Sequence, residues 1–161
     1  MRTTRLAVAL FIAAITVGIV GCAPDTATPP PADASEQQVG QQEAYVARTD
    51  DGVDVVYFEV AKPCDCMAEV GDAVALSIDN SFAAELQNGE LRFFEIVSDD
   101  AQNKSVLETF EAQPFDLFIV RYEGGNSTAE PVYEIWNLMG DNEAIGEYVR
   151  VAVEASLKSP A

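Results

Sequence analysis

The chain has 161 residues, 48% of them apolar, enough for one packed domain plus an extra segment and too many for global disorder. Nine Lys and Arg stand against 27 Asp and Glu, a formal charge of -18, which excludes electrostatic holding on nucleic acid or anionic lipid. There is no histidine, which excludes His-based acid–base catalysis, His-ligated haem and His-rich zinc sites.

The N-terminus reads as an address. Arg2 and Arg5 form a positive region, and Leu6 to Val20 is free of charge but too short to cross a bilayer comfortably. The stretch ends in Ile19-Val20-Gly21-Cys22, which resembles the bacterial lipoprotein lipobox. The resemblance implies cleavage after residue 21, a diacylglyceryl group on the Cys22 thiol, and a lipid anchor on the extracytoplasmic side of a bacterial membrane. Loss of Arg2 and Arg5 would leave seven cations against 27 anions, a charge of about -20, so the domain would be pushed away from anionic lipid. From Cys22 to Ala44 the sequence holds four of the chain's prolines, several Gln and almost no large apolar residue. Such a segment does not bury enough surface to offset the entropy of ordering it, and a tether is expected.

A domain is expected over residues 45–158. Val53 to Val60 is β-branched and aromatic, as a buried strand should be, and Pro63 ends it. From Asp65 to Gln87 the residues Met67, Val70, Val74, Ile78, Phe82 and Leu86 recur at helical spacing, and Asn88-Gly89 supplies a left-handed stop. Leu91 to Val97 is a second strand, and Asp99-Asp100 can cap a short helix carrying Val106, Leu107 and Phe110. A third strand is expected over Phe115 to Tyr122, closed by the turn residues Glu123-Gly124-Gly125-Asn126. Pro131 suits the first position of a short helix running to Met139, where Trp136 is read as packing. After Gly140-Asp141, the residues Ile145, Tyr148, Val149, Ala152 and Val153 mark a last helical face. The stretch Ser127 to Glu130 is polar and gives no convincing fourth strand. Strands alternating with helices predict an α/β sandwich with a mostly parallel sheet of about three to four strands.

Cys64 and Cys66 lie where the first strand gives way to the long helix. The positive end of a helix stabilises a thiolate, and Lys62 adds a charge, while Glu59, Asp65 and Glu69 oppose it. A modest fall in thiol pKa is expected, with Cys64 the lower of the two. A C-x-C pair can close a disulfide through a small, strained ring, and strain raises the reduction potential. The same two sulfurs, with Met67 adjacent, also suit Cu(I), and Asp116 or Glu59 would complete a harder site. A third reading is an idle pair in a module kept for protein contacts.

The placement of the dithiol resembles the thioredoxin-like superfamily, in which such a pair follows the first core strand and opens the first core helix. Phe118 to Tyr122 and the block Ile135 to Ile145, running on to Tyr148-Val149-Arg150, are similar to a small thioredoxin-like family labelled as nitrophenyl-compound nitroreductase subunits. Together these imply a thioredoxin-like fold, with Cys64 attacking, Cys66 resolving and Lys62 supporting the thiolate. The partners implied are extracytoplasmic thiol or disulfide proteins. Nothing in the sequence looks like a flavin or nicotinamide site, so no cofactor is expected and the nitroreductase label is not carried over. Two departures stand out. The family spaces its cysteines C-x-x-C, and its cis-proline, which faces the dithiol and touches the client, falls here on Asp116, with Pro114 two residues early.

Overall fold

The computed structural model describes residues 44–158. The signal segment, Cys22 and the tether lie outside the described residues. Four strands form one sheet: β1 (Gly52–Glu59), β2 (Leu91–Val97), β3 (Leu117–Glu123) and β4 (Asn126–Pro131), in the order β2-β1-β3-β4. The helices are α1 (Asp65–Ser81), α2 (Ala83–Asn88), α3 (Lys104–Phe110) and α4 (Asn142–Lys158). Among the described residues, no helix is long and apolar enough to cross a membrane.

The sheet is mixed, which corrects the expectation of a mostly parallel one. Only β1 and β2 run parallel, and both β1–β3 and β3–β4 are antiparallel. Local chain geometry explains the difference. Gly124 and Gly125 have φ of 56° and 81°, so Glu123 and Asn126 pair directly across a two-residue turn. Two left-handed residues at a hairpin tip match the twist of the strands they join, and glycine adopts that conformation without strain. The chain therefore turns straight back into β4, where the sequence pattern gave no strand. Every residue of β4 is exposed, so no alternation of apolar side chains marks it. Pro131 ends that strand instead of starting a helix, and a 3-10 helix follows over Tyr133–Leu138.

The side chains of β1 divide the core. Val53, Val55 and Tyr57 face α1 and α4, against Val74, Ile78 and Ile145. Val56 and Phe58 face α3, where Phe58 and Phe110 meet edge to face at 5.6 Å. Where α1 crosses α4, the Ser77 hydroxyl donates to the Gly146 carbonyl at 2.6 Å. The single long helix expected from residue 65 to 87 is broken at Phe82, whose φ of -129° interrupts the ladder between α1 and α2. Phe82 is itself buried in the core, so the apolar spacing runs through the break unchanged. β3 begins at Leu117, two residues later than expected, because Phe115 sits at φ 72°, outside any strand.

On the α3 side Asp54 is fully buried and accepts from Arg92 through both carboxylate oxygens, at 2.8 and 2.6 Å. Arg48 closes over the same corner and donates to the carbonyls of Glu90 and Gly89 at 3.1 and 2.7 Å. Gly52 makes this close approach possible. Its φ is 149°, and a Cβ there would meet the Arg48 guanidinium and lie 2.7 Å from the Glu90 carbonyl oxygen. Gly52→Ala is expected to lower stability by about 2–4 kcal/mol, the sum of backbone strain and overpacking. Urea unfolding checks this, and a loss below about 0.5 kcal/mol would show that the corner is slack.

Candidate functional site

β1 ends at Glu59, and the loop that follows is clamped from β2. The Ser98 amide and hydroxyl both donate to the Glu59 carbonyl, at 2.7 and 2.6 Å, and the Ala61 amide donates to the Asp99 carboxylate at 2.8 Å. Asp100 caps the 3-10 turn before α3, accepting from the Gln102 amide at 2.9 Å. The acidic pair read as a helix cap thus divides its work, and Asp99 anchors the loop that leads into the dithiol.

Cys64 is the N-cap of α1, with φ -72° and ψ 160°. Its carbonyl accepts from the Met67 and Ala68 amides at 2.9 and 3.0 Å, while its side chain makes no capping bond to the backbone. Cys66 is the second residue of the helix. Both thiols are free and exposed, and their sulfurs lie 2.9 Å apart in hydrogen-bond contact. The Cys66 thiol, together with the Met67 and Cys66 amides, holds Cys64 below the ordinary thiol value, and the same contact pushes Cys66 up. The contact favours a single shared negative charge over two, and the amides at the head of α1 bias it toward Cys64.

The other candidates contribute unequally. Lys62 is exposed on the loop and makes no ion pair among the described residues, and its charge is not among the causes that lower Cys64. Pro114 is exposed, next to Phe115 at φ 72°, a conformation that costs a bulky residue on the order of 1–3 kcal/mol. The Phe115 amide donates to the Phe58 carbonyl at 2.5 Å, and its ring packs edge-on against Trp136 at 6.4 Å. Asp116 uses its carboxylate on the Gln113 amide at 2.8 Å, closing a turn on its own segment. Among the described residues, no three Cys, Asp or Glu side chains are grouped closely enough to hold a metal ion.

A small cavity of about 70 Å³ opens beside the dithiol, between the C-terminal end of β1 and the start of α1. Pro63 and Met67, the chain neighbours of Cys64 and Cys66, line one side, and Phe115 lines another. Tyr57, Glu59, Asp72 and Glu95 supply its polar groups. Tyr57 is 1% exposed, and its hydroxyl has no hydrogen-bond partner among the described residues. Its ring lies against Gly71, where a Cβ would approach Cε1 to 3.0 Å, so a side chain there would push the ring aside. Desolvation, then the Asp72 charge, raises the Glu59 pKa. Glu95 keeps part of its side chain in solvent, yet desolvation followed by the charges of Glu59, Asp72 and Asp79 raises it too. From the sequence Glu59 enters only as a charge opposing the thiolate and as a candidate metal ligand, and its grouping with Tyr57 is not marked because both look like ordinary strand residues. Their two-residue spacing, which puts both on one face just ahead of the cysteines, was the available signal.

No protein-family model matches the chain, and no curated protein matches it either.

Proposed function

We propose that this chain is a lipid-anchored thioredoxin-like protein that exchanges disulfides with extracytoplasmic proteins through Cys64 and Cys66. The observation that carries this reading is the pair itself: two exposed thiols 2.9 Å apart at the N-terminus of α1. The element order supports it. A strand leads through the dithiol into a helix and back to a parallel strand, and an antiparallel hairpin and a terminal helix follow. The lipobox-like Ile19-Val20-Gly21-Cys22 supports the anchor and the compartment, where disulfides persist.

In the reducing direction the Cys64 thiolate attacks one sulfur of a client disulfide. A Cys64–client disulfide forms and the other client sulfur leaves as a thiolate. Cys66 gives up its proton and displaces the client from Cys64, which closes the Cys64–Cys66 disulfide and passes two electrons to the client. The oxidising direction is the reverse. Removing the resolving sulfur should arrest the first step, so Cys66→Ser is expected to accumulate mixed disulfides through Cys64 in membrane extracts. The control is the double variant Cys64→Ser with Cys66→Ser. Equal, background-level capture by both proteins would defeat the exchange reading.

A further inference from the structure

We infer that the cavity beside the dithiol receives a primary ammonium group, the side chain of a lysine that flanks the reacting cysteine of the client. The inference rests on the exchange reading and specifies the client for the same site.

Three observations point the same way. Glu59, Asp72 and Glu95 line one small cavity, and none of them makes an ion pair among the described residues. Tyr57 lines it as well, and its buried hydroxyl has no partner among the described residues, although an unmet buried hydroxyl is costly. The volume of about 70 Å³ admits an ammonium head, close to a water molecule in size at roughly 30 Å³, with a methylene or two behind it. A bare metal ion fits less well. It needs ligands converging to roughly 2.0–2.6 Å, and no such grouping occurs among the described residues. An ammonium donates three hydrogen bonds at ordinary length to acceptors spread around it, which this rim offers.

Position gives the site its use. Pro63 and Met67 form part of its wall, so a side chain seated there belongs to a residue near the sulfur under attack. The overall charge of -18 draws cations to the whole surface, whereas the cavity would recognise one at a fixed distance from Cys64.

Two small disulfides of similar size test this: cystamine, which carries ammonium groups, and bis(2-hydroxyethyl) disulfide, which carries none. The reduced domain should react faster with cystamine. Glu59→Gln combined with Glu95→Gln should reduce that preference roughly tenfold, the loss of a charge-assisted contact worth ~1.4 kcal/mol. Glu90→Gln, at the far end of β1, removes a charge away from the cavity and should leave the preference intact. An unchanged preference in the double variant, or an equal fall in Glu90→Gln, would overturn the inference. If neither disulfide reacts with the native domain, the exchange reading fails and the cavity is read separately. Carboxyl ¹³C shifts of Glu59 and Glu95 should then saturate with propylammonium chloride but not with sodium chloride at equal ionic strength. Identical responses to the two salts would overturn the inference on their own.

Discussion

Asp54→Ala is expected to destabilise the domain by about 3–5 kcal/mol, the largest single loss outside the apolar core. Asp54 is fully buried in β1, one of the two inner strands of the sheet, and among the described residues it is the only carboxylate in ion-pair contact with two guanidinium groups. Arg92 holds it through both oxygens, and Arg48 Nη1 stands 3.7 Å away with its own side chain only 4% exposed. Alanine leaves Arg92, a third exposed, without its carboxylate beside a cavity, while Arg48 keeps Asp50 at 2.9 Å. The loss measures the unpaired Arg92 more than the worth of the pair, because forming the pair had already cost desolvation. Asp54→Asn keeps the shape and some hydrogen bonds and should fall between the two. A urea midpoint shift at unchanged slope is the measurement, and a loss under 1 kcal/mol would show that water reaches the arginines. The network does not touch the dithiol, so exchange rates of the folded variant should stay native.

Cys64 reactivity carries the second large effect. Cys64→Ser should reduce thiol–disulfide exchange to background without lowering stability, since the side chain is exposed, makes no capping bond, and serine is a favoured N-cap residue. Alkylation of native Cys64 should rise with pH through a midpoint below that of a free thiol, because the Cys66 thiol and the helix amides favour its anion. Cys66→Ala removes the first of those causes, so the midpoint must move up and the rate at neutral pH must fall. An unmoved midpoint would mean that the sulfurs do not share a proton.

What could be read from the sequence follows from which side chains meet the core. α1 and α4 announce themselves because Val70, Val74, Ile78, Ile145, Val149 and Val153 are all buried at helical spacing. β4 gives no such signal, since hydrogen bonding to β3 places it and burial does not. The Gly124-Gly125 pair was the only local evidence that the chain reverses into another strand. Similarly, Phe82 fills the core on either side of a helix break, so periodicity passes over it. At the site, the dithiol was legible as two cysteines after a strand. Its surroundings were not, because Asp99 meets the preceding loop, and Tyr57 and Glu95 the neighbouring cavity, only once β1 and β2 pair. Phe115 is the least legible of all: a large aromatic residue in a left-handed conformation is held there by the surrounding packing and has no sequence signature.

The most direct measurement is redox titration of the purified domain in glutathione buffers, with the Cys64–Cys66 state read by mass. Reversible loss and regain of two hydrogens is expected, at a potential within the range of exchange proteins, roughly -120 to -270 mV, and above the -300 mV or so of inert structural disulfides. A pair that never closes, or that once closed resists reduction across the whole titration, would contradict a working dithiol at the head of α1.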